Sequence, residues 1–514
     1  MVEHSQHHRS NTSIISHLLI LLIAITIIIE MCLYNKLFKN QRSEDIRDNF
    51  QNGRHQVPNM VQNQKPSGDD DGYVSGVYYS NWSPYKPRFH FPHDINLERV
   101  SHVYYAFFKI DPKTGCIGST DSWSDLEMDL YKPLAIKASQ LVDDNLDDNN
   151  MQSILPLGCI GELFYLKNAC SGRKFKSIMS IGGWSDSENF KTIVKNEKLL
   201  QNFVDSSVET MFKLGFDGID IDWEFPENNK VEPQGYLKLV RMLRLKLNSL
   251  ESQIFGGTTK DHFELSIAAP AFKDKLYFLP IAEIDQYIDH WNMMTYDYYG
   301  SWSETTGYHS NLFSETELSG NFAIHYMIGE FGVNPRKLVL GMAAYGRSFH
   351  IKDDKFRPFT KNTVLINQQF KGVGKPGKEI DKADGKEGIW PYKNLPKKGT
   401  TEQYDPKYVS AYCFDEKNSI FIGYDNTESI KTKADYVMHT KLGGGFWWES
   451  CGEDYADKSR SLINAFNEAL HFNVSSKPSM FQDKRVMKYY LSKYGDGGFL
   501  APYLKHLESL KSLK

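Results

Sequence analysis

Short apolar runs recur along the chain from residue 74 to residue 448, and each is followed by a longer stretch with helical spacing. The runs fall at 74–79, 103–108, 177–181, 218–222, 263–268, 291–295, 338–342 and 444–448. Eight strands alternating with helix-length segments predict an α/β chain closed into a parallel (β/α)8 TIM barrel rather than an open sheet. A supporting helix is read at 236–250, where Tyr236, Leu239, Val240, Leu243, Leu247 and Leu250 form one apolar stripe. Between the seventh and eighth strands lie roughly a hundred residues, far more than a barrel connection needs.

Outside this alternation the pattern changes. After a short segment, 1–13, residues 14–33 (IISHLLILLIAITIIIEMCL) are almost wholly apolar. That run is long for a signal-peptide core and suits one membrane span. Glu30, Met31 and Cys32 stand where small cleavage-site residues would be, so a signal anchor is preferred to a cleaved peptide. Arg9 alone precedes the span, whereas Lys36, Lys39, Arg42 and Arg47 lie just beyond it. Taken alone, the positive-inside rule places the C-terminal side of the span in the cytosol. Residues 35–71 are polar and read as a disordered stalk. Residues 142–150 (VDDNLDDNN) read as a solvated loop. The run at 372–378 (GVGKPGK) lacks the spacing, the Ser or Thr and the preceding strand of a phosphate loop. The weakly amphipathic extension 471–514 carries no assigned role.

Four acids crowd into residues 217–224, within FDGIDIDWEFP. On a strand, the two-residue period places Asp220, Asp222 and Glu224 on one face, with Ile219, Ile221 and Trp223 on the other. Aligned carboxylates repel, so their pKa values are driven apart and a proton is held near neutral pH. A protonated acid beside an ionised carboxylate can cleave a glycosidic bond. A solvated acidic edge strand and a hard-cation site are the rival readings. The intervening Ile, Ile and Trp argue for a strand buried on both faces and against an oxygen-rich loop.

Residues 217–224 (DGIDIDWE) resemble the Asp-Gly-x-Asp-x-Asp-x-Glu signature of family 18 glycoside hydrolases, the chitinases. Further segments are similar to that family in the same order: 176–185 (KSIMSIGGWS), 294–302 (MTYDYYGSW), 341–349 (GMAAYGRSF) and 442–449 (LGGGFWWE). The opening at 77–83 (VYYSNWS) and the Phe-Trp-Trp-Glu ending look most like fungal members. Residues 387–392 (EGIWPY) and 412–416 (YCFDE) resemble the small α+β insertion domain of many chitinases, expected at about 350–420 within a catalytic barrel of 73–470.

The resemblance implies an endo-acting chitinase that hydrolyses β-1,4-linked N-acetylglucosamine polymers with retention, in fungal cell-wall remodelling. The nucleophile would be the substrate's own acetamido oxygen, giving an oxazolinium. Glu224 would be general acid and then general base. Asp222 would bind the acetamido N–H, Asp220 would share its proton, and Tyr296 would donate to the acetamido carbonyl. Trp448 would be the floor of the site, with Asp297, Tyr79, Tyr345, Met294 and Arg347 as further substrate-binding positions. Ser180 and Gly183 would shape the acidic strand, and Asp217 would be structural. Ala343 and Ala344 stand where many relatives carry Pro and a bulkier apolar residue, which bears on chain-length preference. The implied partner is chitin or chito-oligosaccharide, with no metal and no organic cofactor. An endo-β-N-acetylglucosaminidase acting on N-glycans and a non-catalytic chitin-binding lectin are the alternatives; Glu224 argues against the lectin.

Composition adds little. The 60 basic and 64 acidic residues nearly balance, so nothing points to nucleic acid. The aromatic share of 13% supplies a core and flat faces for sugar stacking. Six cysteines are too few for a disulfide scaffold in a chain of 514 residues. With Cys32 in the span, Cys116, Cys159, Cys170, Cys413 and Cys451 leave at least one thiol unpaired within a monomer, the expected state. Asn81-Trp82-Ser83 and Asn473-Val474-Ser475 fit glycosylation acceptors. The apolar segment implies the secretory pathway. A chitinase belongs at the cell wall, anchored or secreted, which is opposite to the orientation read from charge alone.

Overall fold

The computed structural model describes residues 72–131, 155–169, 174–257, 261–352, 365–374, 382–471, 473–475 and 477–512. The apolar run at 14–33, the polar stretch at 35–71 and the segment at 142–150 lie outside the described residues.

In chain order the strands are β1 (Val74–Ser80), β2 (His102–Ile110), the short β3 (Ile117–Ser119), β4 (Lys176–Gly182), β5 (Gly218–Asp222), β6 (Glu264–Pro270), β7 (His290–Met294) and β8 (Leu338–Ala343). They continue with β9 (Tyr345–His350), β10 (Ile389–Pro391), β11 (Gln403–Asp405), β12 (Ser410–Asp415), β13 (Ile420–Tyr424) and β14 (Gly444–Trp448). Parallel pairing runs β1-β14-β8-β7-β6-β5-β4-β2, and β1 also pairs with β2, which closes an eight-stranded barrel. The hairpin strand β3 adds antiparallel to β2. Each predicted strand run is a barrel strand, with ends displaced by a few residues.

Strands buried on both faces follow from parallel pairing with helices outside. Ile219 and Ile221 of β5 turn outward into the main core, where Leu239, Leu243 and Leu247 of the helix Glu232–Phe255 meet them. That helix contains the predicted stripe and extends it at both ends. A smaller cluster fills the barrel interior, with Tyr78, Tyr104, Ile178, Val339 and Phe446. The helix Glu197–Lys213 begins at Asn196, whose side chain accepts from the N–H groups of Lys198 and Leu199.

The insertion is a five-stranded antiparallel sheet, in the order β10-β9-β13-β12-β11. Its first strand starts two residues after β8 ends. The sheet therefore spans 345–424, and Tyr345 and Arg347 belong to it.

The C-terminal extension, for which the sequence suggested no role, is packed onto the barrel. Phe481 is fully buried, with Phe164 and Phe212 at ring-centroid distances of 5.3 and 5.4 Å. Val486, Met487, Tyr490, Tyr503 and Leu504 are buried as well. Asp217, at the start of the acidic run, holds this extension. Its Oδ1 accepts from the Ser479 hydroxyl at 2.7 Å and the Met480 N–H at 2.8 Å, while Oδ2 pairs with buried Lys167 at 2.6 Å.

At the N-terminal ends of the strands, His102, Glu264 and His290 bring ligand-type atoms within 4.8 Å of one another. Lys176 lies 2.7 Å from Glu264 and already supplies the positive charge there. Burial by itself would raise the Glu264 pKa; Lys176 and His102 hold it well below the usual range.

Asn81 is buried, and its Nδ2 donates to Thr120 Oγ1 and Asp125 Oδ1, which closes that glycosylation acceptor in the folded chain. Cys116, Cys159, Cys413 and Cys451 carry free thiols. No helix among the described residues is long and apolar enough to cross a membrane.

Candidate active site

The acidic strand is β5, and its alternation sends Asp220 and Asp222 into the barrel interior. Asp220 is fully buried and accepts from four side chains. Tyr78 donates to Oδ2 at 2.9 Å and Ser180 at 2.8 Å, while Ser266 donates to Oδ1 at 2.6 Å and Asn292 at 3.3 Å. Asp222 has no such set, and its buried Oδ1 has no hydrogen-bond partner among the described residues. Burial, then the charges of Glu224 and Asp220, push its carboxyl well above the usual carboxylate range.

Glu224 lies two residues beyond β5, at the C-terminal mouth where (β/α)8 barrels place reacting groups. Its N–H donates to Ser187 Oγ at 2.7 Å, and that hydroxyl donates to the Gly183 carbonyl. Burial and the charge of Asp297 push the Glu224 carboxyl up to about 7. At neutral pH it can therefore hold or release a proton with little cost.

The turn after β4 is shaped around this strand. A Cβ on Gly182, whose φ is +116°, would lie 2.2 Å from the Asp222 carbonyl, and the Gly183 N–H donates to that same carbonyl at 2.9 Å. Only glycine permits this approach with that backbone.

The structure brings the other candidates to the same mouth, with one exception. Tyr296 is buried against Phe446 and Tyr345. Asp297 accepts from the Tyr345 hydroxyl and from Arg347 Nε, each at 2.6 Å. Burial alone would raise Asp297; the Arg347 guanidinium holds it far below the usual range, so it is ionised. Trp448 is half-buried and stacks on Phe107, with centroids 5.7 Å apart and planes at 17°. Met294 packs at the edge of the same interior cluster.

Tyr79 does not belong to the site. It faces the outer core, where its hydroxyl donates to the His90 carbonyl and contacts Cys159 Sγ. The strand period turns Tyr78 inward in its place, onto Asp220.

Four groups were missed in the sequence: Tyr78, Ser266, Asn292 and the aromatic rim. Strand register offers a signal for one of them, since Ser180, Asp220 and Ser266 are successive Cα partners across β4, β5 and β6. The rim comprises Phe107 and Trp82 beside Trp448, together with Trp184 and Trp302, which are 74% and 58% exposed. The Arg347 guanidinium lies over the Trp302 ring at 4.6 Å.

Residues 74–454 match the family described as glycosyl hydrolases family 18. The chain belongs to family 18 of the glycosyl hydrolases. It is 80% identical over 511 residues to the sporulation-specific chitinase 2 of Saccharomyces cerevisiae, covering 99% of this chain and 100% of that one. It is 33% identical to endochitinase 1 of Metarhizium robertsii, over 74% of this chain and 82% of the relative. Among solved structures, catalytic domain 2 of the Ostrinia furnacalis group II chitinase superposes with a TM-score of 0.61 at 24% identity, covering 80% of this chain and all of that one. The class V chitinase of Nicotiana tobaccum, solved in complex with NAG4, gives 0.59 at 21% identity over 77% and 99%. These two structural likenesses concern the fold. The protein is thus a family 18 glycoside hydrolase with a TIM barrel, and its packed C-terminal extension lies beyond the residues matched to the family.

Proposed function

We propose that this family 18 hydrolase is an endo-acting chitinase that cleaves β-1,4-linked N-acetylglucosamine polymers with retention at the anomeric carbon. The observation that carries the reading is the pairing of two carboxyls at the barrel mouth: Glu224, pushed up to about 7, and Asp222, held well above the usual carboxylate range by burial and by the charges of Glu224 and Asp220. The names of the yeast and Metarhizium relatives support the substrate class.

In this mechanism Glu224 protonates the glycosidic oxygen as the C1–O bond breaks. The carbonyl oxygen of the substrate's 2-acetamido group attacks C1, giving an oxazolinium. Asp222 accepts a hydrogen bond from the acetamido N–H and stabilises the positive charge, while the Tyr296 hydroxyl orients the carbonyl for in-line attack. Water then adds at C1 as Glu224 takes its proton, which restores the enzyme. Trp448, backed by Phe107, offers the flat apolar face on which the reacting sugar stacks. Asp297, held by Tyr345 and Arg347, keeps a negative charge beside Glu224.

The sequence supports entry into the secretory pathway through residues 14–33 as an anchor, with the catalytic barrel facing the cell wall and acting as a monomer. The yeast relative's name, sporulation-specific chitinase 2, extends the proposal to action during sporulation.

The test is incubation of wild type and Glu224→Gln with chito-oligosaccharides and with an N-glycosylated protein. Oligosaccharide cleavage that disappears in the variant supports the chitinase and its acid together. Glycan release alone moves the assignment to an endo-β-N-acetylglucosaminidase, and binding without cleavage of either substrate makes the protein a lectin. Tagging the C-terminus and fractionating cells tests the anchor: extraction by carbonate without detergent would remove it.

A further inference from the structure

Asp220 accepts from four side chains, and these donors work against burial, which raises its carboxyl. Its four donors come from four strands: Tyr78 from β1, Ser180 from β4, Ser266 from β6 and Asn292 from β7. A carboxyl that accepts from four side chains is stabilised in its ionised form, and a proton placed on it would displace one of those donors. Asp222 provides the contrast, with Oδ1 buried and unpartnered. The Oδ1 side of Asp220 depends on two residues that the acidic motif does not contain. Ser266 makes the shortest of the four bonds. Asn292 is oriented in turn by Tyr104, whose hydroxyl donates to Asn292 Oδ1 at 3.3 Å, which turns the amide NH2 toward Asp220.

We infer that Ser266 and Asn292 are positioning residues for hydrolysis, which keep Asp220 ionised by holding its Oδ1 and thereby assign the single proton of the pair to Asp222. This rests on the reading of Asp222 as the group that meets the acetamido N–H. The placement matters because a carboxyl donating its proton toward Asp220 can later turn toward the substrate, whereas a proton stored on Asp220 would leave Asp222 charged, and two negative charges adjacent at the mouth once Glu224 has protonated the leaving group.

The titratable side chains electrostatically coupled to Asp220 are Tyr78 and Tyr104 of β1 and β2 inside the barrel, Tyr236 of the helix Glu232–Phe255 on the outer side, and Asp222 on its own strand. Burial pushes all three tyrosines well above their usual value, so they stay neutral across the working range. Proton exchange with Asp220 thus falls to Asp222 among the described residues.

The experiment compares full-length wild type, Ser266→Ala, Ser266→Thr and Asn292→Leu on tetra-N-acetylchitotetraose, with kcat/KM followed against pH. Without the Ser266 donor, Asp220 takes a proton more readily and the doubly protonated pair forms at higher pH. The acid limb of Ser266→Ala should therefore move up by about one pH unit, with kcat down about tenfold. Asn292→Leu should move it in the same direction by less, and Ser266→Thr should restore the wild-type limb. A loss of rate that is uniform across pH, with the limb unmoved, is what a merely structural role produces, and it would overturn the inference. A second readout needs no turnover: 13C NMR of protein labelled at aspartate Cγ, with the Asp220 resonance assigned from Asp220→Asn. Its midpoint should rise in Ser266→Ala, and an unchanged midpoint again overturns the inference. Wild type inactive on the oligosaccharide would sink the functional reading, while the NMR comparison would still decide the placement of the proton.

Discussion

The hydroxyl of Ser479 donates to Oδ1 of Asp217 at 2.7 Å across 262 residues of chain, and so joins the C-terminal extension to the first acid of the catalytic run. Asp217 takes no part at the barrel mouth. It sits at the opposite end of β5, where Lys167, the Ser177 N–H, Ser479 and the Met480 N–H satisfy both of its oxygens. Its cost of burial is offset by that complete set of partners. The acidic run therefore has a structural acid at one end of β5 and, at the other, the acids proposed to react.

This link predicts coupling. Ser479→Ala should cost roughly 1–3 kcal/mol, the worth of a hydrogen bond to a charged group, and should lower Tm by a few degrees. In an Asp217→Asn background the same substitution should cost much less. Thermal unfolding of the two single variants and the double variant measures this, and strictly additive costs would mean the two groups act independently.

The proposed mechanism gives Glu224 and Asp222 separable duties. Glu224→Gln should lower kcat by at least about a hundredfold while oligosaccharide binding by calorimetry persists. Asp222→Asn should lower kcat by orders of magnitude as well, because an amide cannot pass a proton to Asp220 and so cannot gain negative charge as the cation forms. Near-normal turnover in Asp222→Asn would argue against participation of the acetamido group. So would failure of a thiazoline mimic of the oxazolinium to compete with substrate.

The pH dependence has a definite sign. The proposed mechanism needs protonated Glu224, whose carboxyl is pushed up to about 7 by burial and by the charge of Asp297. Activity should fall as pH rises through that region, with apparent values that belong to the Asp222–Glu224 pair rather than to either acid alone. Asp297→Asn removes the negative charge that raises Glu224, so the basic limb should shift to lower pH. A pH profile of kcat/KM checks it, and a limb that stays in place would show that Asp297 does not act on Glu224.

Tyr78 and Tyr79 offer a contrast between neighbours. Tyr78→Phe removes a donor from Asp220 and should depress kcat. Tyr79→Phe loses a bond in the outer core, and should lower stability by about 1 kcal/mol with kcat unchanged. Equal kinetic losses in the two variants would contradict the inward and outward assignment.

Much of the architecture was legible along the chain because its causes are local. Apolar runs of strand length separated by helical spacing mark a parallel barrel, and the period of β5 places Asp220 and Asp222 on one face without any knowledge of neighbours. The apolar stripe of the helix Glu232–Phe255 was visible for the same reason. Tyr79 shows where local reading stops. Adjacent tyrosines in a fully buried strand carry no polar alternation to say which one faces inward, and pairing with β2 and β14 makes that choice.

The sequence by itself determined the strand count, the insertion and the acidic run on β5, since each depends on residue type at short spacing. Only the tertiary structure decided which hydroxyls and amides meet Asp220, that Arg347 and Tyr345 hold Asp297 ionised, and that Ser479 returns to Asp217. Those contacts join residues up to 262 positions apart. They exist only once the barrel has closed, because burial in its interior is what makes each donor necessary to the carboxyl it faces.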